Sequence, residues 1–205
     1  MNGLDLFFSY TAFCLIMAAT PGPNNMMVLT SGVRFGRRRS LPLAFGIAAG
    51  MAVMFAATGL GLGAIFAALP ALAIALRVLS AAFLLWLAWK IATAGPLKRE
   101  HDDLDILGFG TGVAFQWINP KAWAAALSAA ATYLPEGTGS AIVGAGAAIM
   151  AGAALVSTTL WIVFGVWLSR FLHAPRRAHV FNIAMAALLL ASTLPILFGK
   201  LTIQP

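Results

Sequence analysis

Thr20-Pro21-Gly22-Pro23-Asn24-Asn25 interrupts an apolar run that opens near Leu6 and continues through Met26-Met27-Val28-Leu29. Two prolines and a glycine in the middle of a would-be membrane helix carry a high local cost. Each proline removes a backbone donor and crowds the preceding turn, and glycine adds little helical preference. In hydrocarbon the freed backbone groups cannot turn to water. Such a break persists only where protein covers it or where it lines a wet cavity. Discontinuous helices at membrane depth build many transport sites. A second interruption, Asn119-Pro120-Lys121, stands near the matching place in the other half of the chain.

The surrounding composition sets the class. Of 205 residues 61% are hydrophobic and only 9% charged, and the mean hydropathy is +0.91. Soluble domains carry far more charge. Apolar stretches of about 20 residues recur along the chain, as membrane-spanning helices require. The net charge of +7 resides in short segments between them, which fits membrane topology and not a nucleic-acid-binding face. Cys14 is the only cysteine, excluding an intrachain disulfide or a dithiol redox pair. No basic stretch precedes the first apolar run, so that run is expected to be a retained helix.

The pattern predicts an all-α polytopic membrane protein of six transmembrane helices, at roughly 6–32, 41–68, 71–93, 107–133, 141–169 and 180–199. Pro70, Gly95-Pro96 and Pro135-Glu136-Gly137 mark turns, and a charged linker runs from 98 to 105. No soluble domain remains, so residues 1–205 form one transmembrane domain with halves 1–97 and 104–205. Arg34, Arg37, Arg38 and Arg39 follow the first span. Lys90, Lys98 and Arg99 close the third, and Arg170, Arg176 and Arg177 follow the fifth. These are ten of the thirteen basic residues. The positive-inside rule makes those loops cytoplasmic and puts both termini outside. Three spans per half is an odd number, so the halves are inverted repeats, with breaks in the first and fourth helices. Matched interruptions in inverted halves point to a transporter binding site; the bland alternative is a pair of proline kinks.

The run Thr20-Pro21-Gly22-Pro23-Asn24 resembles the signature of the lysine exporter (LysE) family of small amino-acid exporters. So do Gly46-x-x-x-Gly50, Leu85-Trp86-Leu87 and Asn119-Pro120-Lys121, in this order and over essentially the whole chain. The homoserine/threonine-resistance (RhtB) branch is the most similar. The resemblance implies a multi-pass exporter of amino acids in a prokaryotic plasma (inner) membrane. Protons or another coupling ion would drive it, and it leaves the amino acid open. An acid occurs in the fifth span of some relatives; here that region reads Ser157-Thr158-Thr159.

The expected substrate-binding set is Pro21, Gly22, Pro23, Asn24, Asn25, Asn119, Pro120 and Lys121. A helix resuming after Pro23 offers free amides and a positive dipole end to a carboxylate. Asn24 and Asn25 could hold substrate or cap that restart, and Thr20 could satisfy a freed carbonyl. Lys121 lies roughly 14 residues, about 21 Å, into the fourth span, too deep to snorkel easily. It could bind the carboxylate, exchange a proton in a coupling step, or hydrogen-bond carbonyls freed by Pro120. Trp117 and Trp123 are core packing or a lid. Arg77, about 9 Å into the third span, can reach the outer interface. With no carboxylate deep in the membrane, a neutral amino acid suits the site better than a cationic one.

The glycines Gly46, Gly50, Gly59, Gly61, Gly63, Gly108, Gly110, Gly112, Gly144, Gly146 and Gly152 read as close helix contacts. His101, His173 and His179 lack metal-ligand spacing, and no phosphate loop is present. No catalytic residue, metal or cofactor is expected. The partners expected are an amino acid, lipid, a coupling ion and, as an open point, a second copy of the chain; nucleic acid is not. Competing readings are an exporter of another small solute or cation on the same fold, a membrane enzyme, and a non-transporting assembly subunit. The lone cysteine and the lack of any nucleophile–base set oppose the enzyme.

Overall fold

The computed structural model describes residues 3–62, 70–94, 107–134, 137–172 and 174–198. The expected linker 98–105, the turn markers Gly95-Pro96 and Pro135-Glu136, Gly63, His101, His173, Gly199 and Lys200 lie outside these residues, as does the side chain of Arg77.

Among the described residues every regular element is a helix: α1 Gly3–Ala19, α2 Pro23–Ala57, α3 Pro70–Ala92, α4 Phe109–Ile118, α5 Pro120–Tyr133, α6 Ser140–Ser169 and α7 Pro175–Phe198. A wide turn, Thr58–Leu62, extends α2. Among the described residues three apolar helical stretches have the length and composition to cross a bilayer: Pro23–Leu62, which turns at Gly36, Ile74–Ala92 and Ser140–Ser169. Large apolar side chains stand on the outside, with Leu4 69% and Phe8 61% exposed, while Asn25, Gln116, Asn119, Ser157 and Thr158 are buried. Lipid rewards an apolar exterior, and polar groups retreat to where protein can pair them. The chain is an integral membrane protein.

The longest helix is not a straight rod. Gly36 sits at φ 75°, ψ 176°, a region essentially restricted to glycine. The Ser31 and Ser40 hydroxyls on either side are hydrogen-bonded at 2.8 Å. Nine residues of straight helix would hold them about 13.5 Å apart. The chain therefore folds back at this one residue, and Ser40 also donates to the Gly36 carbonyl at 2.8 Å. Where the sequence suggests a basic loop around Arg34–Arg39, the backbone reverses through a one-residue hinge and stays helical on both sides. Gly36 makes that economy possible, because no residue with a side chain adopts its dihedrals cheaply.

The arms of α2 occupy the centre. α2 makes its broadest contact with α6 and its next broadest with α4, while α3 packs on α7 and α1 on α6. Two glycine contacts set these distances. A β carbon on Gly32 would lie 2.6 Å from the Ile162 carbonyl oxygen, and Gly165 faces the Leu29 carbonyl in the same crossing. On the other arm a β carbon on Gly112 would lie 2.6 Å from the Leu43 oxygen, with Gly46 against Phe109. Backbones meet without intervening side chains, the usual basis of helix association in lipid. Both contacts keep the two interruptions beside one another.

Candidate functional site

The first interruption follows from its prolines. α1 ends at Ala19, Thr20 to Gly22 are not helical, and α2 starts with Pro23 in its first turn. Ending α1 inside the protein strands its last carbonyls, and side chains from three other helices meet them. Asn25 Nδ2 donates to Ala18 at 2.9 Å and to Thr20 at 3.0 Å. Ser157 of α6 donates to the Ala18 oxygen at 2.7 Å. Lys121 of α5 donates its Nζ to the Thr20 carbonyl and lies 3.3 Å from that of Pro21. A cation at the negative end of a helix dipole is favourable in itself. Thr20 turns its own hydroxyl back to Ile16 at 2.6 Å. Gly22, fully extended, offers the restart of α2 no side-chain cap. The absent side chain makes room: a β carbon there would meet Lys121 Cδ at 2.8 Å and Nζ at 3.1 Å.

The second interruption is tighter. Asn119 alone is extended, at φ −88° and ψ 108°, between α4 and α5. Its Oδ1 accepts from the Lys121 backbone N–H at 3.1 Å, the N-cap arrangement in which asparagine excels. Its carbonyl accepts from Ala122 at 3.0 Å and Trp123 at 3.2 Å. The Trp123 indole donates to the Trp117 carbonyl at 2.8 Å, meeting one of the carbonyls at the end of α4. The two tryptophans touch edge to face at 5.7 Å; Trp123 is core, not a free lid.

The two breaks are joined by an amide network. Asn24 Nδ2 donates to Gln116 Oε1 at 3.0 Å, and Gln116 Nε2 returns a bond to Asn24 Oδ1 at 3.1 Å. Asn119 Nδ2 also donates to Asn24 Oδ1, at 3.2 Å. Beside the network lies a cavity of about 50 Å³ lined by Gly22, Asn24, Asn25, Asn119 and Lys121 among others. Ser157 and Thr158 complete its polar side; Phe13, Cys14, Met17, Met51 and Met150 form its apolar side. It has room for a few waters. A larger groove of about 460 Å³ lies beyond Lys121, between Thr20, Pro21, Leu188 and Ala191.

Of the eight residues expected from sequence, Gly22, Asn24, Asn25, Asn119 and Lys121 line the cavity. Pro21 lines the outer groove. Pro23 and Pro120 start the two resumed helices and are buried beneath it. Asn24 and Asn25 do not cap α2: one pairs across the halves and the other ties off α1. Lys121 meets carbonyls at the end of α1, not those freed by Pro120. The sequence reading passed over Gln116 and gave Cys14 only a redox reading. Gln116 was detectable, being one of two glutamines in the chain and the one inside an apolar run; a buried amide in a membrane helix needs partners.

The geometry suits a small zwitterion. α2 and α5 begin at the cavity and α1 and α4 end there, so positive and negative helix ends converge on one small polar space. None of the lining side chains is a carboxylate. Among the described residues no group of three His, Cys, Asp or Glu gathers to hold a metal.

The family described as "LysE type translocator" matches residues 15–198. The chain is similar to the cysteine/O-acetylserine efflux protein of Salmonella choleraesuis (strain SC-B67), 35% identical over 135 residues, 65% of this chain and 67% of the relative. The protein of that name from Escherichia coli (strain K12) matches with the same identity and coverage. No solved structure matches. An apolar helical chain with two interrupted helices, matched by the family over residues 15–198, is a member of the LysE-type translocator family.

Proposed function

We propose that the protein exports small, neutral amino acids from the cytoplasm across the plasma membrane, with the cavity between the two breaks as the substrate site. The observation that carries this reading is the convergence of four helix ends on one cavity whose mainly apolar wall carries Gly22, Asn24, Asn25, Asn119 and Lys121. The relatives' names, which specify efflux of cysteine and O-acetylserine, support the substrate class. In this reading the chain is one domain of six spans in two inverted halves, both termini outside. The carboxylate sits at the uncapped start of α2, beside Gly22, Asn24 and Asn25, and is met by Lys121 and the free amides of that helix start. Pro21, Pro23 and Pro120 keep the helices interrupted, and Asn119 and Lys121 bridge the halves. An ion gradient drives the cycle. The test is an efflux screen of amino acids from loaded cells and from proteoliposomes, with the wild type and with Asn24→Leu and Lys121→Ala. Export of small neutral amino acids, reduced in both variants, is the expected result. Unchanged export in both variants removes the assigned site.

A further inference from the structure

We propose that Gln116, a residue that does not line the cavity, is a positioning residue that fixes the polarity of the Asn24 amide and so makes the site select a carboxylate. This rests on the substrate site proposed above.

Donors and acceptors decide which way each amide of the network faces. Gln116 is completely buried, and its Nε2 donates at 2.9 Å to the Gly112 carbonyl. That backbone oxygen only accepts, so the nitrogen of Gln116 must face it. At the other end the Lys121 backbone N–H only donates, to Asn119 Oδ1 at 3.1 Å. The oxygen of Asn119 is thereby committed, and its nitrogen is what reaches Asn24, at 3.2 Å. Two backbone groups, one acceptor and one donor, therefore determine every amide between them. Asn24 Oδ1 receives both Gln116 Nε2 and Asn119 Nδ2, which fills its two lone pairs. Asn24 Nδ2 spends one hydrogen on Gln116 Oε1. Its second N–H has no partner among the described residues and is left for the cavity that Asn24 lines. A free asparagine amide can offer either of its ends; this one offers only a donor. A donor beside the start of α2 matches a carboxylate oxygen and mismatches a carboxamide N–H.

The experiment uses the full chain in proteoliposomes, with L-cysteine under reducing conditions as probe and L-cysteinamide as competitor. The wild type is expected to prefer the carboxylate at least about ten-fold, the usual worth of a hydrogen bond to a charged group. Gln116→Leu should raise the KM for L-cysteine about ten-fold. It should also lower the preference, because only the 3.2 Å bond from Asn119 Nδ2 is then left to hold the Asn24 oxygen, with kcat within about two-fold. Gln116→Met, close to the same length but without an amide, should show the same rise in KM and the same lowered preference. A Gln116→Leu protein with wild-type KM and preference, alongside an impaired Asn24→Leu, overturns the positioning role and leaves the substrate site standing. An unchanged KM in Asn24→Leu as well removes the site itself. Should Gln116→Leu fail to insert, Gln116→Met decides: folded with the preference lowered it upholds the proposal, folded with the wild-type preference the proposal falls.

Discussion

Replacing Gly22 by alanine isolates the contact between the two interruptions. Gly22 is extended, at φ −176° and ψ −178°, a conformation any residue adopts, so alanine brings no backbone strain. Its methyl carbon would lie 2.8 Å from Lys121 Cδ and 3.1 Å from Nζ. Carbon atoms rest comfortably at about 3.5–4.0 Å, so the lysine must withdraw by roughly 0.7–1.2 Å at Cδ. Its Nζ already sits 3.3 Å from the Pro21 oxygen and leaves bonding range, and its bond to Thr20 weakens. Losing or lengthening these charge-assisted bonds costs about 1–2 kcal/mol. For a chain of this size that corresponds to roughly 2–8 °C in Tm. Alanine is also a poorer N-cap than glycine, so the single variant is ambiguous. The same change made in a Lys121→Ala background resolves it, because the methyl then has space and only the capping loss remains. The assay is thermal unfolding of detergent-purified protein for the four members of this double-mutant cycle. Equal destabilisation by Gly22→Ala in both backgrounds would falsify the steric coupling.

Three further outcomes follow from the packing. Gly36→Ala should destabilise by about 1–3 kcal/mol although nothing lies within 4 Å of the added carbon, because the cost is conformational. Gly144→Ala, equally open but inside α6, should be neutral or slightly stabilising; comparing the two Tm values separates dihedral strain from crowding. Gly112→Val forces a carbon to within 2.6 Å of the Leu43 oxygen and 2.7 Å of the Ile47 nitrogen. Backbone cannot step aside, so folded protein should be lost, as read by size-exclusion chromatography of solubilised membranes. Tyr10→Phe removes the 2.9 Å bond to the Gly146 carbonyl while keeping the ring contacts to Phe55 and Tyr133. The expected cost is about 1 kcal/mol, measured by denaturation.

What could be read in advance was whatever the backbone announces chemically. Pro21, Pro23 and Pro120 each remove a backbone donor, and the breaks fall where they stand, although Pro42 alone, without a second proline or glycine beside it, stays inside α2. What could not be read was which partner each stranded group would find. Asn25 and Ser157 reach the Ala18 carbonyl from different helices, and only the tertiary arrangement brings them there. Lys121 was read against the proline beside it in sequence, but its long side chain spans to the other break. Gln116 is a single polar residue in an apolar stretch, and its partner, Asn24, lies 92 residues away in the sequence. The reversal at Gly36 was hidden for a different reason: four neighbouring arginines suggest a loop, whereas a single glycine suffices to turn the chain.

That turn has a mechanical result. The arm from Pro23 to the hinge is 13 residues long by its numbering, about 20 Å at 1.5 Å per residue. With no slack segment at the arginine end, rotation there is a pivot, and displacement grows with distance from it. A swing of about 10° would move the far tip by roughly 3.5 Å, more than the diameter of a water molecule, about 2.8 Å. Asn24 stands at that tip and lines the cavity, so a small change of angle beside Arg34–Arg39 would widen or narrow the space between the two breaks.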